Sequence, residues 1–181
     1  MGKDFVGILY YCFVDPVISL YVLNWILLNK AKQCNLVPFH KAILALTDVS
    51  SPPHSYFKFV FITKQDYENG LTDQKIIDHE MAHVVQKHSL DILLIELLVV
   101  LVWFNPIMYI YRNAIRLNHE FLADEAVIQK SKDVFNYKHL IVNHSALANG
   151  LFPTNSISSS FNYLNTKKRI SHVNYKQQCP H

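Results

Sequence analysis

Residues 92–111, ILLIELLVVLVWFNPIMYIY, contain no Lys or Arg and a single acid, Glu96, and Asn105-Pro106 interrupts them. Proline lacks a backbone donor and disfavours helix at the residue before it. The run therefore predicts two helices joined at Asn105 rather than one straight span. At 1.5 Å per residue, a helix from Leu90 to Asn105 rises about 22 Å, and one from Pro106 to Glu120 about 21 Å. A chain that runs out and folds back would return Glu120 to the level of His83. Each arm is shorter than the roughly 30 Å hydrocarbon core of a bilayer. The expectation is a re-entrant or interfacial helical hairpin over residues 90–117. The alternative is a soluble hairpin whose apolar faces form an ordinary core.

A second apolar run, residues 5–28 (FVGILYYCFVDPVISLYVLNWILL), also lacks Lys and Arg. It exceeds the ~20 residues a spanning helix needs, and its apolar side chains outweigh the cost of Asp15. An N-terminal transmembrane helix is predicted, kinked at Asp15-Pro16. A signal peptide is the alternative, weakened by a nearly uncharged start and no small-x-small cleavage site. Lys and Arg cluster at 30–87 and 112–169, which puts both stretches on the cytoplasmic side. Composition agrees with a membrane-attached domain: half the residues are hydrophobic and 17% are charged, against about 25% in soluble domains. That balance excludes intrinsic disorder. A scattered net charge of +3 argues against a nucleic-acid partner. Cys12, Cys34 and Cys179 are too far apart for a disulfide framework or a Cys-rich zinc site.

The chemistry lies at His79-Glu80-Met81-Ala82-His83. No Pro or Gly interrupts 71–90, and Thr72 or Asp73 is a suitable N-cap, so a helix is predicted. His79 and His83, at i and i+4, share one face and can present two imidazoles to one ion. Zinc accepts neutral nitrogen ligands and keeps a fourth position open in catalytic sites. Glu80, about 100° round the helix, can reach a water at that position without binding the metal, the general-base arrangement of H-E-x-x-H metallopeptidases. The uncharged flanks Ile76, Ile77, Met81, Ala82, Val84 and Val85 suit a helix buried on most sides. Ten histidines make a chance match a real competitor. The candidate third ligand is Glu120. Asp124, one turn on, can accept the other N–H of a ligating His. A solvated acidic patch is the alternative, and His119 is a rival ligand pointing about 100° away.

Residues 41–47 and 56–63 are predicted strands, the latter with Phe57, Phe59 and Phe61 alternating. A strand just before the zinc helix can offer its edge to an extended peptide, or simply cover a helix face. Ser55-x-x-Lys58 matches a serine-acylase pattern, but no S-D-N or K-T-G follows, so it reads as coincidence. A further helix is predicted at 133–148 and a loose segment at 151–160. Lys167-Lys168-Arg169 is expected to touch anionic lipid or to be solvated. The final ten residues are expected to have no fold.

Taken in order, His79-Glu80-Met81-Ala82-His83, Lys87-His88-Ser89-Leu90-Asp91, Trp103-Phe104-Asn105-Pro106 and Glu120-Phe121-Leu122-Ala123-Asp124 resemble the BlaR/MecR-type membrane metallopeptidases, the β-lactam sensor-transducers and their relatives. Residues 51–62 and 161–170 are also similar. The resemblance implies a gluzincin-like site facing the cytoplasm: zinc on His79, His83 and Glu120, water activated by Glu80, Asp124 behind them. In characterised members an extracellular sensor triggers the protease, which inactivates a transcriptional repressor. This chain departs from the pattern. It has one predicted span before the protease region, it stops at His181, and no penicillin-binding motif is present. The expectation is a minimal or truncated member, without β-lactam sensing carried over.

The fold class expected is α+β, mainly helical: a gluzincin-like zinc peptidase core with the transmembrane anchor at 1–30, a short strand region at 31–70, zinc helices with the hairpin at 71–130, and a C-terminal helix and loose tail at 131–181. The expected function is a zinc (Zn2+) endopeptidase of the cell inner membrane, acting on a protein or peptide such as a transcriptional repressor, with the lipid bilayer as its other partner. The alternatives are a catalytically silent membrane module acting by partner binding, and a soluble metallohydrolase.

Overall fold

The computed structural model describes residues 34–131, 133–151 and 156–178, with Trp25 and Asn29. The expected spanning segment at 5–28 lies, Trp25 apart, outside these residues. Among the described residues, no helix is long and apolar enough to cross a membrane.

The chain is α+β and mainly helical, as expected. From residue 34 on, the described residues form four strands before the helices: β1 (Asn35–Phe39), β2 (Ala42–Thr47), β3 (His54–Tyr56) and β4 (Phe59–Thr63). They form one sheet in the order β1-β2-β4-β3, with β2 and β4 parallel and both outer pairs antiparallel. Leu44 pairs with Val60 and Leu46 with Ile62. Side chains alternate across a strand, so these four share a face. That face, which Ala42 shares, packs on Ile77 and Val84 to form the main core. Ala45 and Phe61 fill the opposite face. β1 was not anticipated. The single strand expected at 56–63 is instead a hairpin: Phe57 turns the chain with φ 50°, and its N–H donates to Ser89 Oγ at 2.9 Å. Aromatic alternation hides this turn, which carries none of the usual Gly or Asn signals.

Among the described residues six helices follow: α1 (Lys64–Glu68), α2 (Gln74–Val85), α3 (His88–Leu101), α4 (Pro106–Ser131), α5 (Val134–Leu151) and α6 (Ser156–Gln178). Asp73 caps α2, its side chain accepting from Lys75 N at 2.8 Å. The helix expected across 71–90 breaks after Val85, where Lys87 adopts a left-handed φ of 57° and opens α3. Val85 is exposed, so α2 is less enclosed than its uncharged flanks suggested.

α3 and α4 form the predicted hairpin. Asn105 sits at the turn, and its Oδ1 accepts from Ile107 N at 3.0 Å. With Pro106 as the first helical residue, this is a well-formed helix start. Glu96, the one acid of the apolar run, is tied across the hairpin to Arg112 at 3.4 Å and Arg116 at 2.5 Å. Leu90, Leu94, Leu97, Leu101, Phe104, Ile107 and Ile110 remain exposed on the hairpin.

α5 and α6 close the molecule over α4. Val127, Val134, Tyr137, Ile141 and Val173 make a second core. The expected helix at 133–148 is present as α5. Of the segment expected to be loose at 151–160, Leu151 belongs to α5 and residues from Ser156 on belong to α6, while 152–155 lie outside the described residues. Helix also runs through to Gln178, where no fold was expected. The buried Val173 docks that end of the chain.

Candidate metal centre

α2 projects His79 and His83 from one face, with their Nε2 atoms 3.2 Å apart. α4 returns Glu120 to the same place. Its Oε2 lies 3.4 Å from His79 Nε2 and its Oε1 lies 3.6 Å from His83 Nε2. The two hairpin arms thus match in rise, and 37 residues after His83 the chain is back beside it.

Asp124, one turn along α4 and fully buried, has Oδ1 3.3 Å from His79 Nδ1. Tyr137 on α5 joins them, its hydroxyl 2.9 Å from His79 Nδ1 and donating to Asp124 Oδ1 at 2.7 Å. Arg169 on α6 encloses the carboxylates. Its Nε and Nη2 donate to Asp124 at 2.9 and 2.6 Å, and its Nη1 lies 2.8 Å from Glu120 Oε2. This corrects the reading of Lys167-Lys168-Arg169 as lipid-facing or solvated. Lys167 and Lys168 are exposed, but Arg169 turns inward. Tyr137 and Arg169 were both missed.

Glu80 is buried and accepts a hydrogen bond from the Ser55 side chain on β3. Ser55, set aside as part of a chance motif, thus touches the expected base. Glu80 and Glu120 line both a small cavity of about 150 Å³ and a larger groove of about 760 Å³. His54, Ser55 and Tyr56 of the edge strand β3 form part of the groove wall. His119, the rival ligand, points elsewhere: its Nε2 lies 3.1 Å from Asp91 Oδ2.

The charges divide sharply. For His79, burial works against the imidazolium, but hydrogen bonds to Asp124 and Glu120, with the charges of Glu120 and Glu80, push its pKa up to about 9. For His83, burial and the charge of His79 push it down to about 3. Burial opposes ionisation of Glu120 and Asp124, yet hydrogen bonds and the Arg169 and His79 charges hold both below the usual carboxylate range. Burial pushes Glu80 up, against the opposing pull of His79 and Ser55. Burial and the nearby Asp124 raise Tyr137, so its hydroxyl stays protonated and donates.

Residues 64–173 match the family described as BlaR1 peptidase M56. The chain belongs to that family and carries a metallopeptidase-type domain of the BlaR kind. Among curated proteins, the regulatory protein BlaR1 of Staphylococcus aureus is 25% identical over 126 residues, covering 67% of this chain and 22% of the relative. The chain thus spans about a fifth of that protein's length. No solved structure matches.

Such a family implies a metal ion, and the donor set fits zinc. Ligand atoms about 2.0–2.1 Å from a tetrahedral zinc lie about 3.3 Å from one another. The three edges found here are 3.2, 3.4 and 3.6 Å. His83 is neutral and Glu120 ionised, as ligands must be. His79 is held protonated by Glu120 and Asp124 without the ion and has to release one proton to bind it.

Replacing Tyr137 by Phe removes the hydroxyl between His79 and Asp124. Arg169 still serves Asp124, so the expected cost is modest, about 1–2 kcal/mol, read as a lowered midpoint in thermal unfolding. A Tyr137→Phe protein as stable as wild type would show the hydroxyl to be idle.

Proposed function

We propose that the chain is a zinc-dependent endopeptidase of the inner membrane, its site facing the cytoplasm, that cleaves a protein substrate such as a transcriptional repressor. The observation that carries this reading is the triangle of His79 Nε2, His83 Nε2 and a Glu120 carboxylate with zinc-like edges, in a chain of the BlaR1 peptidase family.

In this reading His79, His83 and Glu120 hold the ion. Asp124 and Tyr137 fix the His79 ring by receiving its Nδ1–H. Zinc supplies a Lewis acid that polarises a carbonyl and acidifies a water. Glu80 takes the proton of the attacking water and passes it to the leaving amine. The edge strand β3 bounds the groove beside Glu80, so an extended peptide pairing with it would bring its backbone past the base. The exposed Leu and Ile side chains of the α3–α4 hairpin suit burial in the bilayer interface, with Glu96 neutralised by two arginines.

The test is metal content with an unbiased peptide-cleavage screen on the purified full chain in detergent. About one zinc per chain is expected, with cleavage lost on chelation and restored by zinc. Zinc without cleavage of any peptide would favour the silent binding module. Absence of zinc would overturn the reading. Carbonate extraction tests the membrane placement: the protein should stay with the membranes.

A further inference from the structure

His83 has a second ring nitrogen, and its partner is not a carboxylate or a carbonyl. His83 Nδ1 lies 2.7 Å from Nδ1 of His88, the two rings meeting at 70°. His88 is the first residue of α3 and is buried. Its face is stacked on His119, with centroids 3.9 Å apart and planes within 11°. His119 in turn donates through Nε2 to Asp91 at 3.1 Å. The row does not form a second metal site, since two parallel rings cannot aim their lone pairs at one ion.

Chain geometry explains why His88 is available. In an unbroken helix, residue 88 would stand five positions beyond His83, about 140° round the axis and facing away. The left-handed Lys87 ends α2 and reverses that direction. It sets the His88 ring beside His83 instead.

An imidazole that binds a metal through Nε2 carries its proton on Nδ1 and needs an acceptor there to fix tautomer and ring angle. We propose that His88 is this acceptor, a positioning residue that holds His83 for zinc, with His119 and Asp91 bracing its ring from behind. The inference rests on the zinc reading above. It assigns to α3 and to the break at Lys87 a role in the site that the H-E-x-x-H motif does not contain.

The test is the zinc dissociation constant of the full chain, measured by chelator competition. His88→Leu, which removes the acceptor and keeps the bulk, is expected to weaken zinc by about 10–100-fold. His88→Asn, whose amide oxygen can accept the same proton, is expected to recover most of that loss. A merely structural role would give no such rescue. Should His88→Leu fail to fold, histidine ¹⁵N NMR of the zinc-loaded wild type reads the same contact. The expected result is a proton on His83 Nδ1 and a bare His88 Nδ1. A His88→Leu affinity within about threefold of wild type, well short of the usual loss, would overturn the inference. So would a proton on His88 Nδ1. If wild type binds zinc, and His83→Ala abolishes binding while His88→Leu does not weaken it, this inference alone fails. If wild type binds none, both readings fall.

Discussion

Glu80→Gln leaves zinc bound at about one per chain and lowers peptide cleavage by roughly 10²–10⁴-fold, the range for losing a positioned general base. Glu80 is not among the three atoms that converge at the site, so the metal should not notice the change. Gln keeps the size of the side chain, and its amide oxygen can still accept from Ser55. The fold around it is therefore retained. What disappears is the capacity to take a proton. Burial already raises the affinity of this carboxyl for one, which brings it nearer the poise a base needs at neutral pH. The informative contrast is His83→Ala, which should lose zinc and cleavage together. If Glu80→Gln turned over peptide as fast as wild type, the base would have to be another group and the mechanism proposed here would fall.

The parts legible in the sequence were those with a local or periodic cause. Two histidines one turn apart, an N-cap at Thr72 or Asp73 and an Asn-Pro break in an apolar run each act within a few residues. The rise per residue converted the break into the position of Glu120 with no tertiary information. The illegible parts were decided at a distance. Phe57 turns the chain because Ser89, far along the sequence, receives its N–H. Lys87 breaks a helix with no Gly or Pro to announce it. Arg169 sits in a run of three cations, and only the carboxylates of α4 decide which of them points inward. One faint signal existed. Arg169 and the buried Val173 are four apart, at helix spacing, whereas Lys168 is out of phase with that face. Tyr137, one of ten tyrosines, had no local mark at all.

Arg169→Ala should cost about 3 kcal/mol, the low end of the range for removing one member of a buried ion pair, because His79 and Tyr137 still face Asp124. Asp124 has no solvent exposure and loses both guanidinium bonds at once. Glu120 loses its contact at 2.8 Å. Domain stability is about 5–15 kcal/mol, so this is a large share, and the docking of α6 should weaken with it. Arg169→Lys separates charge from shape. It restores one positive point but not the three-pronged hold on two carboxylates, so its unfolding midpoint should fall between those of wild type and Arg169→Ala. Zinc adds a further discrimination. An ion on Glu120 supplies part of the missing positive charge and stabilises whatever native state binds it. Saturating zinc should therefore raise the midpoint of Arg169→Ala more than that of wild type. Thermal unfolding with and without zinc, and hydrogen exchange over α6, measure both effects. An Arg169→Ala protein within about 1 kcal/mol of wild type, a difference typical of an exposed ion pair, would mean that the basic run is a solvated surface after all and that Arg169 does not hold the site's carboxylates.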